Sequence, residues 1–168
     1  YIKRCRDSGA PAVTVDIDGA GIVHMTRAGL PVGPRPVDVW RMIAAESPIP
    51  VILKGVLSVS DARLAAEAGV WGIVVSNHGG RVVDFAPGVA SVLPEIAKEV
   101  SGRLHILADG GIRSGVDVLK MIALGAEAVL VGRPAAIAAV GAGAEGVALL
   151  LETYKDQLRN AMVYTGAA

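Results

Sequence analysis

A repeated strand–helix–strand unit constrains this chain more than any other feature. A predicted strand Val51–Lys54 leads through Ser58, a helical pattern and Gly69 to a strand ending at Ser76. A predicted strand His105–Asp109 leads through Ser114, a helical pattern and Gly125 to a strand ending at Gly132. Ser58 to Gly69 and Ser114 to Gly125 both span 11 residues, and each second strand ends 7 residues later. Ser58 with Asp61 and Ser114 with Asp117 have the S-x-x-D spacing of a helix capping box. Gly69 and Gly125 stand where left-handed helix stops belong. Equivalent units of this kind, repeated around an axis, favour a (β/α)8 TIM barrel over a doubly wound sheet, although both use the same unit.

The rest of the chain keeps the alternation. Strands are predicted at Ala12–Ile17, Pro50–Lys54, Gly72–Ser76, His105–Asp109 and Ala128–Val131, each short and apolar on both faces, as buried parallel strands are. Helical spacing covers Val37–Ser47, Val59–Ala68, Val89–Val100 and Gly115–Leu124, and a last helix is expected over Ala144–Met162. Ala138–Ala144 reads as a small-residue loop before it. Five strands do not close a barrel, which has eight strands and typically ~250 residues. The expected assignment is strands four to eight, with residues 1–168 as the C-terminal part of one barrel domain. The opening Tyr1–Asp7 reads as the last turns of a helix already under way. Roughly the first third of the barrel is therefore expected on a preceding segment or a separate chain. An open barrel edge would pair with that missing part or with copies of this chain.

Composition narrows the function. Apolar residues make up 52% of the chain, enough to build a core and exclude intrinsic disorder. Sixteen Lys and Arg balance sixteen Asp and Glu, removing the electrostatic case for nucleic acid or an anionic membrane as the main partner. No uninterrupted apolar run reaches the ~18 residues of a membrane span. One cysteine, Cys5, permits no internal disulfide, and a cytoplasmic setting is the default expectation. Metal binding has no support in the spacing of His, Cys, Asp and Glu.

Polar groups gather at all five predicted strand ends, where a parallel α/β fold places its active site. They are Asp16, Lys54, Ser76-Asn77-His78-Gly79-Gly80-Arg81, Asp109-Gly110-Gly111-Ile112-Arg113 and Gly132-Arg133-Pro134. His78 is the candidate base, with two glycines that keep side chains away from a ligand and Arg81 as a planar fork for a carboxylate or phosphate. His24, in a loop, and His105, at the other end of a strand, read as structural. Asp109–Arg113 and Gly132-Arg133 are glycine-rich turns that open helices, which suits an anion such as phosphate. Lys54 ends an otherwise apolar strand, so its ammonium needs an anion or an opening into a ligand cavity. Asp16 is placed either to orient a histidine or to cap a loop.

Together these motifs closely resemble the FMN-dependent α-hydroxy acid oxidase and dehydrogenase family. The matching segments are Thr14-Val15-Asp16, Leu53-Lys54-Gly55, Ser76–Arg81, Asp109–Arg113, Gly132–Pro134 and the end of the final helix. The resemblance implies a (β/α)8 barrel, FMN as cofactor, and oxidation of a small (S)-2-hydroxy acid to the 2-oxo acid, with O2 or another acceptor reoxidising the flavin. His78 would take the substrate proton while a hydride equivalent passes to flavin N5. Asp16 would stabilise the imidazolium, Arg81 would bind the substrate carboxylate, and Lys54 would steady the reduced flavin. Thr14 and Ser76 would touch the flavin, Asp109 the ribityl chain, and Gly110, Gly111, Arg113, Gly132 and Arg133 would surround the phosphate.

Three departures stand beside the resemblance. Ile17–Val23 lacks the arginine that relatives use as a second carboxylate contact, which leaves Arg27 or Arg35 as substitutes. The segment from Asp18 to Pro36 is short where many relatives carry a lid. Tyr1, Tyr154 and Tyr164 match no family tyrosine. The rival readings are a flavin- or phosphate-binding half-barrel without turnover of its own, and another flavin or phosphate barrel related to type 2 isopentenyl diphosphate isomerase. The His-Gly-Gly-Arg segment disfavours the latter.

Overall fold

The computed structural model describes residues 2–19, 23–30 and 32–167. Its centre is one parallel sheet of β1 (Val13–Asp16), β2 (Val51–Val56), β3 (Gly72–Val75), β4 (His105–Ala108) and β5 (Ala128–Val129). The strands lie side by side in chain order, β1-β2-β3-β4-β5. A doubly wound sheet reverses its order at a switch point, whereas a barrel advances strand by strand. The observed order is therefore that of a barrel arc.

The helices are α1 (Ile2–Asp7), α2 (Val23–Arg27), α3 (Val37–Glu46), α4 (Val59–Glu67), α5 (Val89–Val100), α6 (Gly115–Ala123) and α7 (Arg133–Thr165). Both predicted caps form. The Ser58 Oγ accepts from Asp61 N–H at 3.0 Å, and the Ser114 Oγ accepts from Asp117 N–H at 3.1 Å. In each, the Asp carboxylate accepts the serine hydroxyl in return. Gly69 and Gly125 close α4 and α6 at φ +76° and +110°, conformations open to glycine. A Cβ at Gly125 would also lie 2.5 Å from the Ala97 Cβ, so this stop sets how closely α5 meets the turn after α6.

Strand parity divides the sheet into two faces. Leu53, Ile73, Val75, Ile106 and Ala108 point outward into the core with Ala62 and Ala65 of α4, Leu93 and Ile96 of α5, and Met121 of α6. The alanines let α4 lie close to the sheet. Each large side chain buried here contributes roughly 1.5–3 kcal/mol of transfer free energy. The alternate positions, including Thr14, Asp16, Ile52 and Lys54, line what would be the barrel interior. Thr14 and Asp16 remain exposed there.

Four expectations need correction. The expected loop Ala138–Ala144 shrinks to a break at Ala142 and Gly143, where φ is −149° and +58°: helix runs from Arg133 up to that break and resumes at Ala144, the expected start of the last helix. Alanine outweighs the glycines as a helix former until two residues leave helical geometry together. His24 lies in α2, not in an irregular loop. β2 runs on to Val56 through a register skip between Lys54 and Val56, with Gly55 as the extra residue at φ +100°. Finally, α7 contains an 18-residue apolar window long enough, by length and composition, for a membrane span. The break at Ala142 and Gly143 folds the helix back on itself, with Gly146 against Ala138 O, so it is not one straight span. Glu145 alone interrupts Pro134–Leu151, so no unbroken apolar run marks the window in the sequence. The second half of α7 packs on α6, with Gln157 Oε1 accepting from Gly115 N–H at 2.9 Å.

The helical opening is borne out by α1. Tyr1, Ala20, Gly21, Ile22, Pro31 and Ala168 lie outside the described residues.

Candidate active site

The carboxyl ends of the strands open into one cavity of about 1020 Å³. Its walls include Asp16, Lys54, His78, Arg81, Asp109, Gly110, Gly111, Arg113, Gly132 and Arg133. Ten of the twelve site residues expected from the sequence therefore meet there. Thr14 and Ser76 are not on that wall. Thr14 sits two residues further down β1. Ser76 is buried, and its hydroxyl accepts from His78 N–H at 3.0 Å, so it shapes the turn.

That turn sets the histidine. His78, Gly79 and Gly80 have φ of +54°, +67° and +76° in succession. Two of these are free for glycine, while a left-handed histidine is strained, a condition that clusters at functional sites. Gly80 N–H donates to Asn77 O at 2.9 Å, and Arg81 Nε donates to His78 O at 3.1 Å. The loop thus fixes imidazole and guanidinium relative to each other. Across the cavity mouth, the Arg133 guanidinium lies against Gly79, where a Cβ would come within 3.5 Å of it.

Lys54 is mostly buried, 3.6 Å from Asp16 Oδ1 and 3.8 Å from Asp109 Oδ2. It answers both alternatives at once, forming ion pairs in the barrel mouth and lining the cavity. Burial, and then a hydrogen bond with the Asp18 carboxyl, push Asp16 above the ordinary carboxylate range, against the pull of Lys54. His78 Nδ1 lies 2.9 Å from Asp18 Oδ1 and 3.8 Å from Asp16 Oδ1. Asp16, Asp18 and His78 bring their ligand-type atoms within 4.8 Å of one another, a grouping that sequence spacing did not reveal. The short Nδ1 to Asp18 contact engages the ring nitrogen in a hydrogen bond, so we read the group as a histidine–carboxylate pair.

Three contributors escaped the sequence reading. Asp18 is the carboxylate at hydrogen-bond distance from the His78 ring, where the resemblance points to Asp16. Tyr154, which matched no expected tyrosine, is buried and lines the cavity from α7, and burial pushes its phenol up. Asn77 holds Pro87 O with its amide, while its buried Oδ1 has no hydrogen-bond partner among the described residues. Arg27 and Arg35 are not among the cavity-lining residues.

At the anion end, Ser114 caps α6 and Asp117 accepts from Arg113 N–H at 3.0 Å. Burial works against the Asp117 charge, but the N–H of Arg113 and the Ser114 hydroxyl outweigh it and hold the carboxyl below its usual range. The loop is thereby braced with Arg113 at the cavity and the start of α6 behind it.

A parallel barrel arc with a histidine, cations and glycine-rich turns at its carboxyl rim defines a ligand-binding barrel of the enzyme type. Residues 36–168 match the family of FMN-dependent dehydrogenases, and the chain belongs to that family. Among curated relatives, the chain is 55% identical over 125 residues to 4-hydroxymandelate oxidase of Amycolatopsis orientalis, covering 74% of this chain and 35% of that protein. It is 52% identical over 118 residues to L-lactate dehydrogenase of Chromohalobacter salexigens, covering 70% of this chain and 30% of that protein. A solved structure of mandelate oxidase with benzoyl-formic acid superposes with a TM-score of 0.86 at 42% identity, covering 96% of this chain and 52% of that one. The chain thus spans about a third of the length of these curated relatives, and its sheet is part of a TIM barrel.

The residues present fit the family's FMN. Asp109 lines the cavity, and its Oδ1 is buried without a hydrogen-bond partner among the described residues, an acceptor that ribityl hydroxyls would satisfy. Gly110 has φ +85°, and a Cβ there would crowd Val89 and Asn77. A Cβ at Gly111 or Gly132 would meet nothing within 4 Å, and Arg113 and Arg133 line the same cavity, so these residues would hold a phosphate there.

Proposed function

We propose that residues 1–168 are the C-terminal part of one FMN-binding barrel domain whose intact protein oxidises a small (S)-2-hydroxy acid to the 2-oxo acid. One observation carries this reading: His78, Arg81 and Lys54 line the same cavity as the two glycine-rich anion loops. When bound, FMN supplies the two-electron acceptor that conversion of C–OH to C=O requires. Nδ1–H of His78 donates to a carboxylate, leaving Nε2 with a free lone pair to take the substrate proton. The imidazolium so formed is balanced by the carboxylates of Asp16 and Asp18. Arg81 holds the substrate carboxylate in a bidentate grip, its position fixed by its bond to His78 O. Lys54 places positive charge at the cavity floor, where negative charge accumulates during oxidation. Thr14 and Ser76 remain candidate flavin contacts, Thr14 through the barrel interior and Ser76 through the turn it braces.

Anaerobic mixing of the intact, FMN-loaded protein with a panel of 2-hydroxy acids tests the reading. Bleaching of the yellow flavin by at least one acid is expected. Colour without bleaching across the panel would favour the flavin-binding module without turnover. The phosphate assignment has its own check. Arg113→Ala removes a charge-assisted hydrogen bond of about 1.5–3 kcal/mol, so FMN affinity should fall roughly 10- to 100-fold in a fluorescence titration. Unchanged affinity would remove Arg113 from the phosphate site.

A further inference from the structure

The family resemblance assigns the carboxylate behind His78 to Asp16, the last residue of β1. The geometry points to a different residue: we propose that Asp18, seated on Gly55, is the positioning residue for the His78 imidazole, while Asp16 serves Lys54. This rests on reading His78 as the base.

Four observations carry it. Asp18 Oδ1 is 2.9 Å from His78 Nδ1, hydrogen-bond distance, whereas Asp16 Oδ1 at 3.8 Å is beyond it. The Asp18 side chain is 14% exposed beside a His78 side chain at 12%, and Asp16 is 45% exposed. A shielded carboxylate holds a ring more firmly than a solvated one, because water competes less for it. Asp16 is engaged elsewhere, hydrogen-bonded to the Asp18 carboxyl and 3.6 Å from Lys54 Nζ.

The last observation explains how the chain makes room. Ile17 N–H donates to Lys54 O at 2.9 Å, which carries the β1–β2 ladder one step past the strand. The next residues pass directly over the register skip in β2. A Cβ at Gly55 would stand 2.6 Å from Asp18 Cγ and 2.9 Å from Asp18 Oδ2. The extra residue in β2 and its missing side chain therefore form the seat on which Asp18 reaches the ring. A bulge beside an active site commonly serves to re-aim a side chain.

The consequence is chemical. A carboxylate accepting from Nδ1–H holds the neutral ring in the tautomer whose Nε2 is unprotonated and able to accept the substrate proton. An amide in its place can donate to Nδ1 and stabilise the opposite tautomer, with Nε2 already protonated.

The test uses the intact FMN-loaded protein labelled with 15N-histidine, with His78→Ala identifying the His78 signals. Asp18→Asn should convert the His78 pattern from Nδ1–H to Nε2–H in proton–nitrogen correlation spectra. It should also lower kcat by about 10²–10⁴-fold with KM changed by less than about threefold. Gly55→Ala, which displaces the carboxylate without removing it, should reproduce the kcat loss while FMN remains bound. Asp16→Asn should leave the Nδ1–H pattern in place. Retention of that pattern in Asp18→Asn with kcat within about threefold of the parent, or its inversion in Asp16→Asn instead, would overturn the assignment. The tautomer is read in the resting protein, so it decides the role of Asp18 even if the His78→Ala variant still turns over.

Discussion

Replacing His78 with alanine in the intact protein is expected to reduce turnover by roughly 10²–10⁴-fold while the yellow flavin stays bound, the range a positioned general base contributes. Apart from its bond to the Asp18 carboxylate, the side chain takes no part in holding the loop. Its backbone, not its imidazole, takes part in the turn with Ser76 and Arg81. Alanine therefore removes the base and leaves the Arg81 carbonyl contact in place. Steady-state rates with a responsive hydroxy acid, together with the flavin absorbance of the purified variant, separate lost chemistry from lost cofactor. Undiminished turnover would reject His78 as the base.

A large effect of another kind is expected at Gly115, the first residue of α6. A Cβ there would fall inside contact distance of the backbone atoms Tyr154 O and Leu158 N and against the Gln157 side chain. Backbone atoms of a packed helix cannot swing aside as a side-chain end can, so α7 must back away from α6. Gly115→Ala should destabilise the protein by about 3 kcal/mol, the upper part of the usual overpacking range. For a protein of this size or larger, that lowers the melting temperature by roughly 6–12 °C. The displacement reaches the cavity as well, because Arg113 precedes α6 and Tyr154 lines the wall from α7. FMN affinity should fall along with the melting temperature. A variant that melts like the parent would show that the two helices do not meet closely at this point.

The barrel arc was legible in the sequence because its signals are local and repeated. Two serine caps and two glycine stops at equal spacing delimit α4 and α6, and runs such as Val51-Ile52-Leu53 have no plausible place except a buried strand. The candidate site was legible for a related reason: its residues lie in or directly after a strand, most of them at the carboxyl end, so knowing the strands places them at one end. What escaped depends on contacts remote in sequence. The pairing of Asp18 with His78 spans 60 residues and exists because β2 carries one extra residue under the chain after β1. Tyr154 reaches the cavity only because α7 breaks at Ala142 and Gly143 and returns along α6. The break has a local signature in the small-residue run Ala138–Ala144, but the return along α6 has none.

The most direct measurement is a crystal structure of the intact protein with FMN and a 2-oxo acid product. The product carboxylate is expected on the Arg81 guanidinium, its oxo oxygen within hydrogen-bond reach of His78 Nε2, and the Lys54 ammonium against the flavin. A product bound elsewhere, with these three side chains turned away from one another and from the flavin, would contradict it.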